Sequence, residues 1–110
     1  LGGREQAAIC GALVAARKHR IPVLLDGFIA CSAVAPLSSH EGIFDHVLVA
    51  HKSAELGHTL LLKHIDKVPI LDLDMRLGEG TGSAVALAVI KSALACHNGM
   101  ATFAEAGLTG

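Results

Sequence analysis

The residues best placed to do chemistry lie in the segment LDLDMRLGEGTGSA, residues 71–84. Gly78, Gly80 and Gly82 recur at alternate positions, so the backbone can approach a ligand closely and leave N–H groups free at the start of the next helix. Glu79 stands between two of these glycines. A carboxylate there repels phosphate and suits a protonated, neutral ligand, from which a partly desolvated Glu79 accepts a proton as general base. The segment has no GK[ST] and so is not a Walker loop, and Ser83 falls where a dinucleotide fingerprint requires its third glycine. Taken alone, such a loop is equally readable as a flexible strand-to-helix turn.

Two further segments carry candidate ligand-facing groups. In HVLVAHKSAELGH, residues 46–58, Ser53 is a candidate helix N-cap whose hydroxyl, with nearby N–H groups and the charge of Lys52, can hold a carboxylate or phosphate. A plain structural cap explains Ser53 equally well. His51, Glu55 and His58 would share one face of a helix and suggest a metal, but His51 reads as a strand end and HExxH is absent, so no metal site is expected. In the third segment, Asp26 and Gly27 follow an apolar run. Asp26 could orient a substrate, although capping the helix that follows is the favoured reading. His19, His40, His64 and His97 lie in unrelated polar contexts and are expected on the surface.

These loops need elements to hold them. Residues 4–18 space their apolar side chains as an amphipathic helix, and Arg17, Lys18, His19 and Arg20 complement its C-terminal dipole. Pro22 blocks continuation, and the apolar runs 21–25, 46–50 and 68–73 read as short strands buried on both faces. Between and after them, residues 28–35 (ending at Pro36), 53–64 and 83–96 read as helices. Buried strands alternating with helices imply right-handed crossovers, hence an α/β, Rossmann-like parallel sheet with helices on both faces, incomplete at three strands. Ligands of such sheets sit at the carboxyl ends of strands, which is where all three candidate loops fall.

Composition removes other classes. Nine Lys and Arg against ten Asp and Glu, with three aromatics that are all Phe, do not suit nucleic-acid binding by phosphate neutralisation and base stacking. The longest uncharged stretch, 27–40, contains Pro36 and is shorter than the roughly 20 residues of a spanning helix, so no membrane segment is expected. Cys10, Cys31 and Cys96 are odd in number and lack CxxC spacing, which fits buried thiols in a reducing cytoplasm. The hydrophobic set is 52% of 110 residues and charged residues only 17%, where about 25% is usual. A chain so apolar and so small predicts a missing partner surface, either the rest of a longer protein or another subunit.

The blocks GREQAAICGALVAARKHRIPVLLDGF, DHVLVAHKSAELGH, LDLDMRLGEGTGSAVAL and HNGMATFAEAGL resemble, in order and spacing, the C-terminal part of the nicotinate-nucleotide–dimethylbenzimidazole phosphoribosyltransferase family. The resemblance covers nearly the whole chain, residues 1–110, as one portion of a single domain. It implies a cytoplasmic homodimer that moves phosphoribose from nicotinate mononucleotide to 5,6-dimethylbenzimidazole in cobalamin synthesis, with no metal or redox cofactor. The family's catalytic carboxylate falls on Glu79. Its nucleotide contact falls on Ser53, and the base pocket on the backbone around Leu77 and Gly78. Leu56 departs from the proline of the family's S-x-E-P-G-H stretch. The family's glycine-rich phosphate loop and a further carboxylate would lie upstream of Leu1, so the chain by itself is expected to be inactive. A non-catalytic nucleotide- or benzimidazole-binding relative, or a phosphoribosyltransferase for another aromatic base, is the alternative.

Overall fold

A computed structural model of the chain describes residues 3–75 and 79–108. Its elements run α1 (Arg4–Lys18), β1 (Val23–Leu25), α2 (Phe28–Val34), β2 (Val47–His51), α3 (Leu56–His64), β3 (Pro69–Leu71) and α4 (Thr81–Gly99). The strands form one parallel sheet in the order β1-β2-β3. Val23 pairs with Val47 and Leu25 with Val49, then Val49 with Pro69 and His51 with Leu71. The α/β class and its helix–strand alternation are therefore those expected from the apolar pattern.

Two helices turn into strands by the same local device. At the end of α1, the Arg20 N–H donates to the Arg17 carbonyl and the Ile21 N–H to that of Ala16. At the end of α3, Asp66 and Lys67 donate in the same way to Lys63 and Leu62. Both are Schellman turns, and their left-handed positions are taken by Arg20 (φ 58°) and Asp66 (φ 54°) rather than by glycine. Helix α1 thus stops at its own C-cap, His19, three residues before Pro22.

Several expected boundaries shift. Pro36 does not simply break α2. It sits in the first turn of a 3-10 segment, Ala35–Ser39, where its missing N–H is harmless. Helix α3 starts at Leu56 with Glu55 as N-cap, so Ser53 is not the cap residue. Helix α4 begins at Thr81, two residues earlier than its apolar run, and continues to Gly99.

Leu13 of α1, Cys31 and Val34 of α2, Phe44 from the turn before β2, Val47 and Val49 of β2, and Leu62 and Ile65 around the end of α3 form one buried cluster with Leu25. Side chains alternate along a strand, so Ala50 points away from Val47 and Val49. It is nonetheless fully buried, as is Ala86 of α4, which lies against β2 and β3. Helices therefore lie on both faces, but the second face is covered only at one end. The apolar runs are not buried on both faces throughout: Leu48 is 45% exposed and Val68 87%. Within α4 only Gly82 and Ala86 are buried, while Val85, Leu87, Val89 and Leu94 are exposed. The radius of gyration is 16.8 Å, against about 13 Å for a compact domain of this length.

Candidate functional site

The three loops that leave the carboxyl ends of the strands meet at one cleft of 610 Å³. Asp26 and Gly27 enter it from β1, His51 and Ser53 from β2, and Glu79 and Gly80 from the turn before α4. Of the expected site residues, Asp26, Gly27, Ser53, Glu79 and Gly80 are therefore brought together. Leu77 and Gly78 lie outside the described residues.

Asp26 caps a helix, but a different one from the helix expected. Among the described residues no side chain caps α2. Instead the Ser83 N–H and hydroxyl both donate to Asp26 Oδ1, at 2.9 and 3.1 Å. Ser83 is the third residue of α4, so a carboxylate from the end of β1 takes up one of the free donors of a helix 57 positions later and suits its positive end. Asp26 thereby fixes the start of α4, and with it Gly80 and Glu79, against the sheet.

His51 is the structural centre of this junction. It is 3% exposed, its Nε2 lies 3.6 Å from Asp26 Oδ1, and neither ring nitrogen has a hydrogen-bond partner among the described residues. The ring is held between two glycines. A β-carbon on Gly27 would come within 3.3 Å of Nε2, and one on Gly82 would fall on the ring itself. Gly82 is thus required by close packing, inside α4, rather than as an open loop glycine facing a ligand.

Glu79 has a left-handed backbone, φ 62°, and is followed by Gly80 at φ 80°. The left-handed region is costly for a residue with a β-carbon, and non-glycine residues held there cluster at functional sites. Glu79 itself is exposed, so the partial desolvation expected of a buried base is not present in this chain.

The loop after β2 is arranged differently from expectation. The Ser53 N–H donates to His58 Nδ1 at 2.8 Å, and the Ser53 hydroxyl donates to a Glu55 carboxylate oxygen. The Glu55 N–H in turn donates to Ser53 Oγ at 3.2 Å. The Ser53 amide is therefore not available to an anion. Lys52 lies 3.5 Å from Asp72, its charge directed there. His58 is fully buried, against the edge of Phe28. Burial first, then His51, lowers its pKa from the ordinary 6.5, with Glu55 opposing. His51, Glu55 and His58 do not share a helix face, because His51 ends β2 and Glu55 precedes α3. Among the described residues no group of three or more His, Cys, Asp or Glu side chains is placed to hold a metal ion, and no helix is long and apolar enough to cross a membrane. His19, His40, His64 and His97 are exposed, as expected.

The sequence pattern did not reveal the roles of His51, His58, Gly82 and Ser83. The local trace of His58 is its position three residues after the N-cap, from which a side chain can reach back to the preceding loop. The meeting of His51 with Gly82 depends on two chain segments far apart in sequence and leaves no periodic mark.

Comparison with known proteins places this cleft in context. The chain is 58% identical over 110 residues to the nicotinate-nucleotide–dimethylbenzimidazole phosphoribosyltransferase of Ruegeria sp. (strain TM1040), covering 99% of this chain and 33% of that protein. It is 59% identical over 109 residues to the protein of the same name from Novosphingobium aromaticivorans, covering 98% and 32%. A crystal structure of an enzyme with that name from Thermus thermophilus superposes with a TM-score of 0.83 at 39% identity, over 96% of this chain and 32% of that one. The chain thus spans about a third of the length of the relatives it matches. A family model described as DBI_PRT, phosphoribosyltransferase, matches residues 1–108, and on that match the chain belongs to the phosphoribosyltransferase family.

Proposed function

We propose that this chain is part of a nicotinate-nucleotide–dimethylbenzimidazole phosphoribosyltransferase and carries its general base, Glu79. The observation that carries the reading is the placement of Glu79: a carboxylate in a left-handed turn at the mouth of a cleft built from all three strand ends. The substrates are nicotinate mononucleotide and 5,6-dimethylbenzimidazole, in keeping with the nicotinate nucleotide and dimethylbenzimidazole of the matched relatives' names.

In the reaction, one ring nitrogen of the benzimidazole attacks C1′ of the ribose while the bond from C1′ to the nicotinate nitrogen breaks. The bonding pair returns to the pyridinium ring, which leaves without its positive charge. Attack opposite the leaving group inverts the anomeric carbon and gives α-ribazole 5′-phosphate. Glu79 takes the proton from the benzimidazole N–H, so no cation accumulates on the incoming base. Ser53 contacts the nucleotide. Asp26, Gly27 and Gly80 line the same cleft. Such proton removal contributes typically 10²–10⁴-fold, and holding the two substrates in line supplies much of the remainder. The whole enzyme works in the cytoplasm as a homodimer, and the exposed apolar face of α4 is covered there.

The test uses a protein of the relatives' full length that carries this chain. Glu79→Gln is expected to lower kcat by about 10² or more while the Kd for nicotinate mononucleotide stays close to that of the parent. An unchanged kcat removes Glu79 from the base role.

A further inference from the structure

We infer that His58 is the positioning residue for Ser53: its neutral imidazole accepts a hydrogen bond from the Ser53 N–H and so seats the loop that presents the Ser53 hydroxyl to the nucleotide. This rests on the reading of Ser53 as a nucleotide contact and adds which atom makes it and what holds it there.

The geometry fixes the tautomer. An N–H···Nδ1 bond of 2.8 Å requires the lone pair on Nδ1, so the ring proton sits on Nε2. Nε2 is buried without a hydrogen-bond partner among the described residues. Burying an unpaired donor is unfavourable, and the ring is nonetheless fully buried, with Phe28 packed against it. Phe28 meets it edge-on at a centroid distance of 6.4 Å. Gly57, next to His58, leaves just enough room, since a β-carbon there would come within 3.1 Å of the Phe28 ring. Phe28 and Ser53 both line the cleft, so His58 ties the wall made by the start of α2 to the loop after β2. Burial and the neighbouring His51 favour the uncharged ring, with Glu55 opposing, and only the uncharged ring accepts.

The bond has a chemical consequence for the ligand. With its N–H engaged by His58, Ser53 has its hydroxyl as the remaining donor to offer the nucleotide. The hydroxyl now donates to Glu55, so donating to the nucleotide exchanges that partner at the same oxygen.

Two measurements test this. In a ¹⁵N-labelled protein of the relatives' full length that carries the chain, the His58 Nδ1 resonance is expected in the acceptor range with a scalar coupling across the bond to the Ser53 amide; absence of that coupling overturns the proposal. In a full-length protein carrying the chain, His58→Leu is expected to raise the KM for nicotinate mononucleotide by about five- to tenfold, the usual effect of one lost hydrogen bond, with kcat changed by less than about twofold. His58→Asn, whose Oδ1 can accept the same amide, recovers most of that loss. Equal KM increases in the Leu and Asn variants overturn the role. Ser53→Ala separates the two readings. If it leaves the nucleotide KM unmoved, Ser53 is not a contact and the underlying reading fails. If it raises KM and His58→Leu does not, the positioning role fails alone.

Discussion

The His51 ring occupies the space that a β-carbon on residue 82 would need. A strand end and a helix start are thereby locked at their closest approach, directly beneath the turn that carries Glu79. Gly82→Ala must displace a buried ring or lift the first turn of α4, and overpacking of this kind costs about 1–3 kcal/mol. Gly11, in the middle of α1, has nothing within 4 Å of its β-carbon position. Gly11→Ala should therefore stabilise by about 0.5–1 kcal/mol through helix propensity. Urea denaturation of the two variants should show shifts of opposite sign, and a neutral Gly82→Ala would mean that the ring relaxes freely.

Asp26→Ala removes the acceptor for both Ser83 donors. The expected loss is about 1–2 kcal/mol, the usual effect of deleting a helix cap, and it should be concentrated at the start of α4. Amide hydrogen exchange is the direct measurement: the Ser83 amide should exchange faster in the variant while the amides of β2 keep their protection. Asp26→Asn retains an acceptor oxygen and should show the smaller effect.

Leu56 is the first residue of α3 and is 87% exposed. Proline is well suited to that position, and Glu55 before it already has φ −68° and ψ 130°, the extended conformation that a residue preceding proline adopts. Leu56→Pro should therefore stabilise the chain by about 0.4–1 kcal/mol, chiefly by restricting the unfolded state, and raise the thermal midpoint. A lowered midpoint would show that the helix start is not fixed as described.

Stability should fall as the pH drops below 6.5, the ordinary value from which burial and then His51 lower the folded-state pKa of His58, with Glu55 opposing. The unfolded chain therefore takes up this proton first. Stability thus rises with pH across the interval between the folded and unfolded values. The contribution is fully present above the unfolded pKa and is lost as pH falls through the folded one. His58→Asn should flatten this part of the profile of unfolding free energy against pH, and an unaltered slope would exclude His58 as its source.

The three thiols should separate by reactivity in the isolated chain. Cys96 is exposed, Cys10 half-buried and Cys31 buried. Desolvation, with the Asp26 charge adding to it, pushes the Cys31 thiol up to about 12. Because the thiolate is the nucleophile, alkylation at neutral pH should mark Cys96 first and leave Cys31 untouched until denaturant is added. Native labelling of Cys31 would contradict the packing of α2.

The α/β alternation was legible in the residues alone, because short apolar runs and helical spacing are local signals that the chain satisfies element by element. Helix α1 has the bounds expected from its own residues, and the Glu79 loop stands out because a carboxylate among alternate glycines is uncommon enough to read without a structure. The long blocks shared with the phosphoribosyltransferases likewise belong to the one-dimensional text. Which helix Asp26 caps was settled by packing in three dimensions, because a free carboxylate beside two helix starts has two local solutions and the fold selects one. The same holds for His51 against Gly82 and for His58 beneath Ser53. Each is a contact between a polar ring and a backbone position on another segment, so neither partner alone carries its mark. The starts of α3 and α4 moved from their apolar runs for a related reason: a helix begins where its first donors find acceptors, and here these come from Asp26 and from the Ser53–Glu55 loop.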